Sequence, residues 1–328
     1  MYRRAIIAIT DQCNLHCVHC YNSKNRNKKE RTIDWINDSF AQALKKMNVQ
    51  HIGLTGGEPL LCWDDLINYI RMFKMYEFYV VVTTNGTLLN KKKLEILSLG
   101  GVDLIQVSID GSPPECHNSI RGNGAYEKII SLFSDDSYKD FKLFPMFTIC
   151  KKNYKEINDF INQMIEFGIK SIGFERYIPS SGQNIEELSL TREMLKTAYS
   201  TIFQFEDKIR IHVNDPVYTA YKLSKMNVSS DMIKNLETWK MGCSAGDTSM
   251  YIDAIGNIYP CTFSDESFYS LQYGTIEDVP NRPDLCKPKE GTKCAVCKFK
   301  LICGGCRATA RYVVNGFWGG DDPLCVIN

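Results

Sequence analysis

The chain has 328 residues, with 39 lysines and arginines against 38 aspartates and glutamates. This near balance of charge argues against nucleic acid or an anionic membrane surface as a partner, and no apolar run is long enough to span a bilayer. Fourteen cysteines without a signal peptide favour metal binding in a reducing cytoplasm over disulfides, so we expect a cytoplasmic protein. The length suits one large domain plus a smaller one.

The first predicted element is a short buried strand over residues 5–9, because five apolar, partly β-branched residues are bounded by polar ones. The loop after it carries three cysteines at C-x3-C-x2-C spacing: Cys13, Cys17 and Cys20. Loops at the carboxyl ends of strands are where α/β folds bind ligands. Three thiolates can hold three irons of a cube that normally takes four cysteines. A zinc site completed by His16, His19 or a remote residue is the alternative.

Strands and helices alternate through the first half of the chain, which predicts a parallel α/β sheet built from βα units. Further strands are predicted over 51–55, 79–83, 102–109, 142–149 and 170–175. Helices are predicted over 33–47 (capped by Thr32), from 64 or 65 to 75, over 91–97 and over 154–167. The strands and helices together make six βα units.

A second motif, Thr55-Gly56-Gly57-Glu58-Pro59, ends the second predicted strand. Together with the cysteine loop, in which the aromatic His19 precedes the last cysteine, it resembles the radical S-adenosylmethionine (SAM) enzymes. The resemblance implies a partial (β/α)6 barrel of the triosephosphate isomerase kind, a [4Fe-4S] cluster on the three cysteines, and SAM on its open iron. It also implies reductive cleavage of SAM to a 5′-deoxyadenosyl radical that abstracts hydrogen. An ordinary strand-to-helix turn is the alternative for the Gly-Gly-Glu segment.

The same resemblance implies SAM contacts for particular residues. Gly56, Gly57 and Glu58 would receive the amino end of SAM, because glycines allow close backbone approach and a carboxylate can pair with an ammonium. His19 is expected to pack near the adenine. Other matching positions implied to contact SAM are Asn85, Ser108, Asp110 and Arg121. Turn formation by the asparagine and the aspartate, and a surface ion pair for the arginine, remain open as alternatives.

The C-terminal part changes to cysteine, glycine and short strands, with a small hairpin predicted over 251–259. Its cysteine pattern is Cys243, then Gly256-x4-Cys261, then Cys294-x2-Cys297-x5-Cys303-x2-Cys306, then Cys325. This pattern resembles the SPASM extension of radical SAM enzymes, which carries two auxiliary iron–sulfur clusters. The usual form has three residues between Cys303 and Cys306; the shorter form here is similar to enzymes of pyrroloquinoline quinone and haem biosynthesis.

Carried over by position, the resemblance assigns Cys243, Cys261 and Cys306 to a first auxiliary cluster. It assigns Cys294, Cys297, Cys303 and Cys325 to a second. The first cluster then has an open iron or uses a ligand such as Cys286, and structural zinc is the alternative for both. The remaining cysteines, Cys62, Cys116 and Cys150, are expected as buried small hydrophobes, with Cys116 also a candidate for the substrate site.

These observations predict a radical SAM barrel over 1–177, a bridging region over 178–240 and a SPASM domain over 241–328. The expected substrate is a ribosomally made peptide, modified by cross-linking, thioether formation, epimerisation or oxidation, with flavodoxin or ferredoxin as electron donor. Modification of a tetrapyrrole side chain and a non-enzymatic iron–sulfur or zinc protein are the alternatives. Since the first motif lies close to Met1, we expect a separate peptide-recognition protein or direct capture of the peptide in the barrel mouth. No catalytic acid or base is assigned.

Overall fold

A computed structural model describes residues 2–23, 35–180, 185–226, 228, 242–313 and 319–327. Ten strands of these residues form one sheet: β1 (Arg4–Ala8), β2 (His51–Thr55), β3 (Tyr79–Thr84), β4 (Leu104–Ser108), β5 (Leu143–Ile149), β6 (Ser171–Arg176), β7 (Arg210–Val213), β8 (Ser249–Ile252), β9 (Asn257–Tyr259) and β10 (Tyr269–Ser270). Their order across the sheet is β10-β9-β8-β1-β2-β3-β4-β5-β6-β7. Neither β10 nor β7 pairs with a further described strand, so the sheet is open.

Strands β1 to β7 pair in parallel with their neighbours in chain order. The predicted α/β fold with a parallel sheet is therefore confirmed. Two strands of this sheet were not predicted in their observed positions. Strand β7 lies within the stretch expected to be a bridge, and β8 joins the free edge of β1 in parallel, with Ile7 opposite Ile252. The antiparallel pairs of β9 with β8 and β10 extend the sheet into the cysteine-rich part.

The helices of the described residues are α1 (Asp38–Lys46), α2 (Trp63–Met75), α3 (Lys91–Leu99), α4 (Pro114–Arg121), α5 (Ala125–Ile129), α6 (Ser131–Ser134), α7 (Ile157–Glu166), α8 (Ile185–Leu188), α9 (Arg192–Phe203), α10 (Pro216–Lys225), α11 (Lys293–Val296) and α12 (Arg307–Val313). Single 3-10 turns are Pro59–Leu61, Asp136–Tyr138, Ile276–Asp278 and Pro283–Cys286. No described helix is long and apolar enough to cross a bilayer.

The start of α1 differs from the sequence prediction. Asn37 caps it, since its side-chain oxygen accepts a hydrogen bond from the Phe40 backbone N–H at 3.1 Å. A side chain that satisfies an otherwise unpaired N–H of the first turn fixes where a helix begins. Residues 35–37 are not helical, and the predicted cap Thr32 lies outside the described residues.

Helix α7 shows how the helices cover the sheet. Its buried residues, Ile157, Phe160, Ile161 and Met164, recur at helical spacing on one face. The Phe160 ring lies 4.9 Å from Phe147 on β5 and 5.8 Å from Phe174 on β6, between ring centroids. Removing such a buried ring costs about 3–5 kcal/mol, so this layer holds strands β5 and β6 in place.

Candidate functional site

A cleft of about 860 Å³, open to solvent, lies at the carboxyl ends of strands β1 to β6. All three cysteines of the first loop line it. The other predicted site residues that line it are His19, Gly56, Gly57, Asn85, Ser108 and Arg121. The structure therefore brings nine of the predicted residues to one cavity, in the position where parallel α/β folds bind their ligands.

The two glycines of the second motif allow the cysteine loop to lie against the end of β2. A Cβ atom on Gly57 would stand 2.0 Å from the Gln12 carbonyl oxygen, and one on Gly56 would stand 2.3 Å from that of Thr10. Gly56 also has a φ of 149°, which side chains other than hydrogen rarely permit. The two glycines, which the sequence predicted to let the backbone approach a ligand, are thus also required for the close approach of the cysteine loop.

The side chain of Glu58, predicted to pair with the SAM ammonium, is not among those that line the cleft. It is fully buried, and its carboxylate accepts hydrogen bonds from Thr84 Oγ1 at 2.7 Å and from the Asn85 N–H at 2.8 Å. Burial raises the pKa of Glu58 despite these bonds. The carboxylate joins the end of β2 to the end of β3, which leaves the backbone of the two glycines, rather than this side chain, facing the cleft.

Asp110 lies behind the cleft wall instead of lining it. Its carboxylate accepts hydrogen bonds from Arg121 Nε at 2.6 Å and from the Thr148 N–H at 2.8 Å, and it lies 2.7 Å from His19 Nε2. Burial alone would raise its pKa, but Arg121 and His19 outweigh burial and hold the pKa of Asp110 well below its usual range. The aspartate is therefore an anion that orients two cleft residues. The ion pair of Arg121, for which a surface position was the alternative to a SAM contact, is buried.

Asn85 connects the end of β3 to the cysteine loop. Its side-chain nitrogen donates to Asn14 Oδ1 at 2.9 Å and stands 3.9 Å from Cys13 Sγ. Its oxygen accepts from the N–H and the hydroxyl of Thr87 at 2.9 and 2.7 Å. An N–H beside a cysteine sulfur is one of the groups that adjust the properties of a thiolate-bound metal centre.

Sequence analysis missed Glu175, the next-to-last residue of β6, which lies beside the cleft. Of the described residues lining the cleft, it is the one carboxylate, as Arg121 is the one guanidinium. Its Oε1 accepts from Thr148 Oγ1 at 3.3 Å. Burial, and then the charge of Asp110, raise its pKa. The signal that could have found it is its position at the carboxyl end of the sixth predicted strand.

Seven of the eight C-terminal cysteines divide into two cavities. Cys243, Cys261 and Cys306 line one cavity, which lies beside the cleft because Ile178 and Phe263 line both. Cys294, Cys297, Cys303 and Cys325 line a smaller cavity of about 310 Å³. These are the same two groups that were carried over from the SPASM resemblance.

A buried ion network ties these cavities to the sheet. Arg176, at the end of β6, contacts Asp215 through Nε at 2.9 Å and pairs with Asp322 through its terminal nitrogens. The Asp322 carboxylate also accepts the Cys306 N–H at 2.8 Å. Burial would lower the pKa of Arg176, but the two aspartates raise it well above its usual value. Asp322 lines the cavity of the second cysteine group. The network therefore places Cys306, of the first group, beside the cavity of the second.

The remaining cysteines differ in their surroundings. Cys150 is buried as predicted. Cys116 and Cys62 are half-buried against apolar clusters, and neither lines the cleft. The Cys286 thiol donates to the Pro283 carbonyl at 3.1 Å and does not line the cavity of Cys243. The charge of the Cys286 thiolate nevertheless contributes to raising the pKa of Cys243.

Metal binding at these thiols must release protons. Burial raises the pKa of Cys17 to about 11 and that of Cys243 to about 12, whereas metals bind the thiolate. Within the described ranges, no three His, Cys, Asp or Glu side chains are arranged to hold a single metal ion. The cysteines of each group share a cavity.

Residues 7–164 match the family model of the radical SAM superfamily. The chain is 28% identical to the AdoMet-dependent heme synthase of Methanosarcina barkeri over 97% of this chain and 94% of the relative. It is 25% identical to the mycofactocin maturase MftC of Mycolicibacterium smegmatis over 97% and 81%.

The fold is similar to Streptococcus suis SuiB bound to S-adenosylmethionine, with a TM-score of 0.76, 20% identity, and 99% of this chain and 77% of that chain covered. SuiB bound to its precursor peptide SuiA gives a TM-score of 0.78 at 18% identity, with 99% and 76% covered.

Proposed function

Because this chain is a radical SAM superfamily enzyme, we propose that it modifies a ribosomally made peptide by hydrogen abstraction in the cleft of β1 to β6. The observation that carries the proposal is the cleft itself, where three thiols, two backbone-exposing glycines and a buried arginine meet. Cys13, Cys17 and Cys20 would hold a [4Fe-4S] cluster there, and that cluster would supply the electron for reductive cleavage of SAM. The peptide part rests on the relatives named as maturases.

The donor set of the cleft fits a cluster with SAM. Cys13, Cys17 and Cys20 would hold the cluster, and Arg121 would receive the SAM carboxylate because Asp110 fixes its guanidinium at the cleft wall. Backbone groups of Gly56 and Gly57 face the place where the amino end would lie. The remaining contacts assigned are His19 to the adenine, and Asn85 and Ser108 to the ribose or amino acid part.

We assign two auxiliary [4Fe-4S] clusters to the C-terminal cavities. The first would use Cys243, Cys261 and Cys306, and the second would use Cys294, Cys297, Cys303 and Cys325. Support comes from the grouping of these thiols in two cavities. Cys286 does not line the first cavity. We therefore propose that one iron of the first auxiliary cluster has no cysteine ligand. A flavodoxin or ferredoxin would supply the electrons.

A tetrapyrrole is the second candidate substrate, because the 28% identical relative is named as a heme synthase. The two substrates can be separated with the anaerobically reconstituted enzyme, SAM and a reductant. One set of assays contains peptides encoded beside the gene for this chain, and the other contains propionate-bearing iron porphyrins.

Mass spectrometry then follows the substrate, while chromatography follows 5′-deoxyadenosine. We expect a changed peptide mass together with deuterium transfer from the labelled peptide into 5′-deoxyadenosine. Deuterium transfer from a labelled porphyrin, with every peptide unchanged, would contradict the peptide proposal and establish the second candidate.

A further inference from the structure

Glu175 is a charged cleft residue that the assigned binding of the cluster and SAM does not use. It is partly buried on β6. Its carboxylate accepts a hydrogen bond from Thr148 Oγ1 at 3.3 Å and is also hydrogen-bonded to the Asn214 side chain. Both partners are neutral, and within the described part of the chain Glu175 forms no ion pair. The carboxylate has therefore given up part of its hydration without gaining a cation.

The cations of the cleft wall do not neutralise Glu175. Arg121 Nε donates to Asp110 at 2.6 Å, and no described lysine lines the cleft. Burial raises the pKa of Glu175 most, the charge of Asp110 raises it further, and Arg121 lowers it. The wall around Glu175 therefore has an excess of negative charge, which attracts a cationic group of a ligand.

The position of Glu175 in the sheet separates it from the place assigned to the amino end of SAM. That end is assigned to Gly56 and Gly57, which follow β2, and strands β3, β4 and β5 lie between β2 and β6. Asn214, which is hydrogen-bonded to Glu175, also lines the cavity of Cys243. Glu175 therefore lies where the cleft adjoins the first C-terminal cavity, and this is the side left to the substrate.

Apolar side chains line the cleft next to Glu175. The Met146 side chain lies directly over Gly173, two residues before Glu175, and leaves no space there for a Cβ atom. Met146 lines the cleft, as do Tyr177 and Ile178, which follow β6. An acidic group with apolar neighbours is complementary to a side chain that has a long apolar stem and a cationic end. Lysine and arginine have this structure.

We propose that Glu175 determines the specificity of the cleft by pairing with a lysine or arginine side chain of the substrate peptide. The inference rests on the proposed function and deepens it, because it names the residue type that the peptide brings into the cleft. The pair is a charge-assisted hydrogen bond shielded from water by the apolar neighbours. The same carboxylate repels the propionates of a porphyrin, so it favours the peptide over the second candidate substrate.

The test measures dissociation constants with anaerobically reconstituted protein in the presence of SAM. The probes are the peptides encoded beside the gene, synthesised with each lysine and arginine replaced in turn by glutamine or glutamate, and a propionate-bearing iron porphyrin. Wild type is compared with Glu175→Gln and Glu175→Lys. Glu175→Gln keeps the volume and both hydrogen bonds of the side chain, so it tests the charge even where Glu175→Lys fails to fold. The matched controls are Glu186→Gln and Glu186→Lys, at an exposed position on α8.

We expect replacement of one peptide lysine or arginine by glutamine to weaken binding to the wild type about thirtyfold, because the partner charge is left unpaired. Glu175→Gln should bind the unchanged peptide at least about tenfold more weakly and lose little more when that peptide residue is replaced. Glu175→Lys should prefer the peptide with glutamate at that position, and it should bind the porphyrin more tightly than the wild type does. The controls should stay within about twofold of the wild type.

Wild-type affinity of Glu175→Gln for the peptide would overturn the pairing, since Glu175 would then only support the fold. An equal loss of affinity for SAM and for the peptide would overturn it too, because Glu175 would then contact SAM. The failure of this inference is distinct from that of the proposed function. A peptide that is bound and modified whichever of its lysines and arginines is replaced contradicts only the pairing, whereas modification of the porphyrin with no peptide bound contradicts both.

Discussion

The cysteines of the cleft and those of the C-terminal part stand on very different scaffolds. The first loop is fixed between two strands of the sheet, with the Gly57 and Glu58 N–H groups each donating at 2.7 Å to carbonyls of residues 10 and 12. The C-terminal cysteines lie on turns, on the short helix α11 and directly before α12, held by a few buried polar groups. The comparison teaches that the cleft is shaped by the sheet, whereas we expect the C-terminal cavities to depend on bound metal for their shape.

The variant with the largest expected effect tests most directly whether the C-terminal part, unlike the sheet, depends on its metal. Cys294→Ser removes a proposed ligand of the second auxiliary cluster, so we expect amides beyond β10 to exchange hydrogen rapidly while the amides of the sheet stay protected. The matched variant Cys13→Ser should lose the cleft cluster and keep both regions protected. Hydrogen exchange followed by mass spectrometry measures this. Equal protection of the C-terminal part in both variants would show that it folds without its metal.

The ion network between the two scaffolds gives the next largest effect. Arg176→Leu leaves Asp215 and Asp322 buried without their partner, and a broken buried pair costs about 3–5 kcal/mol. We expect the free energy of unfolding in denaturant to fall by that amount. Arg282→Leu, which removes an exposed pair with Asp284, serves as the control and should cost less than about 1 kcal/mol. Similar losses in both variants would contradict the assigned role of the network.

A smaller effect is expected where the cysteine loop contacts β2. Gly57→Ala places a Cβ 2.0 Å from the Gln12 carbonyl oxygen, which forces the backbones apart at a cost of about 1–3 kcal/mol. Cleavage of SAM should fall further than stability does, since the loop carries the cluster ligands. Gly53→Ala, whose Cβ would meet only Ile6 at 3.7 Å, should change neither. Normal SAM cleavage by Gly57→Ala would show that the loop tolerates displacement.

The smallest effect concerns pH. The pKa of Glu175 is raised above its ordinary value of 4.5, mainly by burial, so folding favours its protonated form and ionisation costs stability as the pH rises through the folded pKa. Glu175→Gln should therefore raise the melting temperature at pH 8 relative to the wild type and leave it unchanged at pH 4. Glu186→Gln, at an exposed position, should change it at neither pH. If Glu175→Gln lowered the melting temperature at pH 8, ionised Glu175 would stabilise the fold, which would contradict its raised pKa.

The parts predicted from sequence are those set by local pattern. Apolar runs predicted the parallel strands, and the resemblance to SPASM enzymes implied the cysteine groups that share cavities. Strand β7 was missed because Arg210–Val213 is short and alternates between exposed and half-buried residues, so only pairing with β6 makes it a strand. The contacts of Glu58 and Asp110 with SAM were predicted from the family resemblance. Sequence shows that a carboxylate follows a strand but not which way it faces, so the position of both side chains outside the cleft lining could not be predicted.

The central claim is that three groups of cysteines hold three iron–sulfur clusters on one chain. Iron, acid-labile sulfide and zinc should be measured together on anaerobically reconstituted protein. We expect about twelve irons and about as many sulfides per chain, the content of three [4Fe-4S] clusters. Stoichiometric zinc without sulfide would contradict the account at its root.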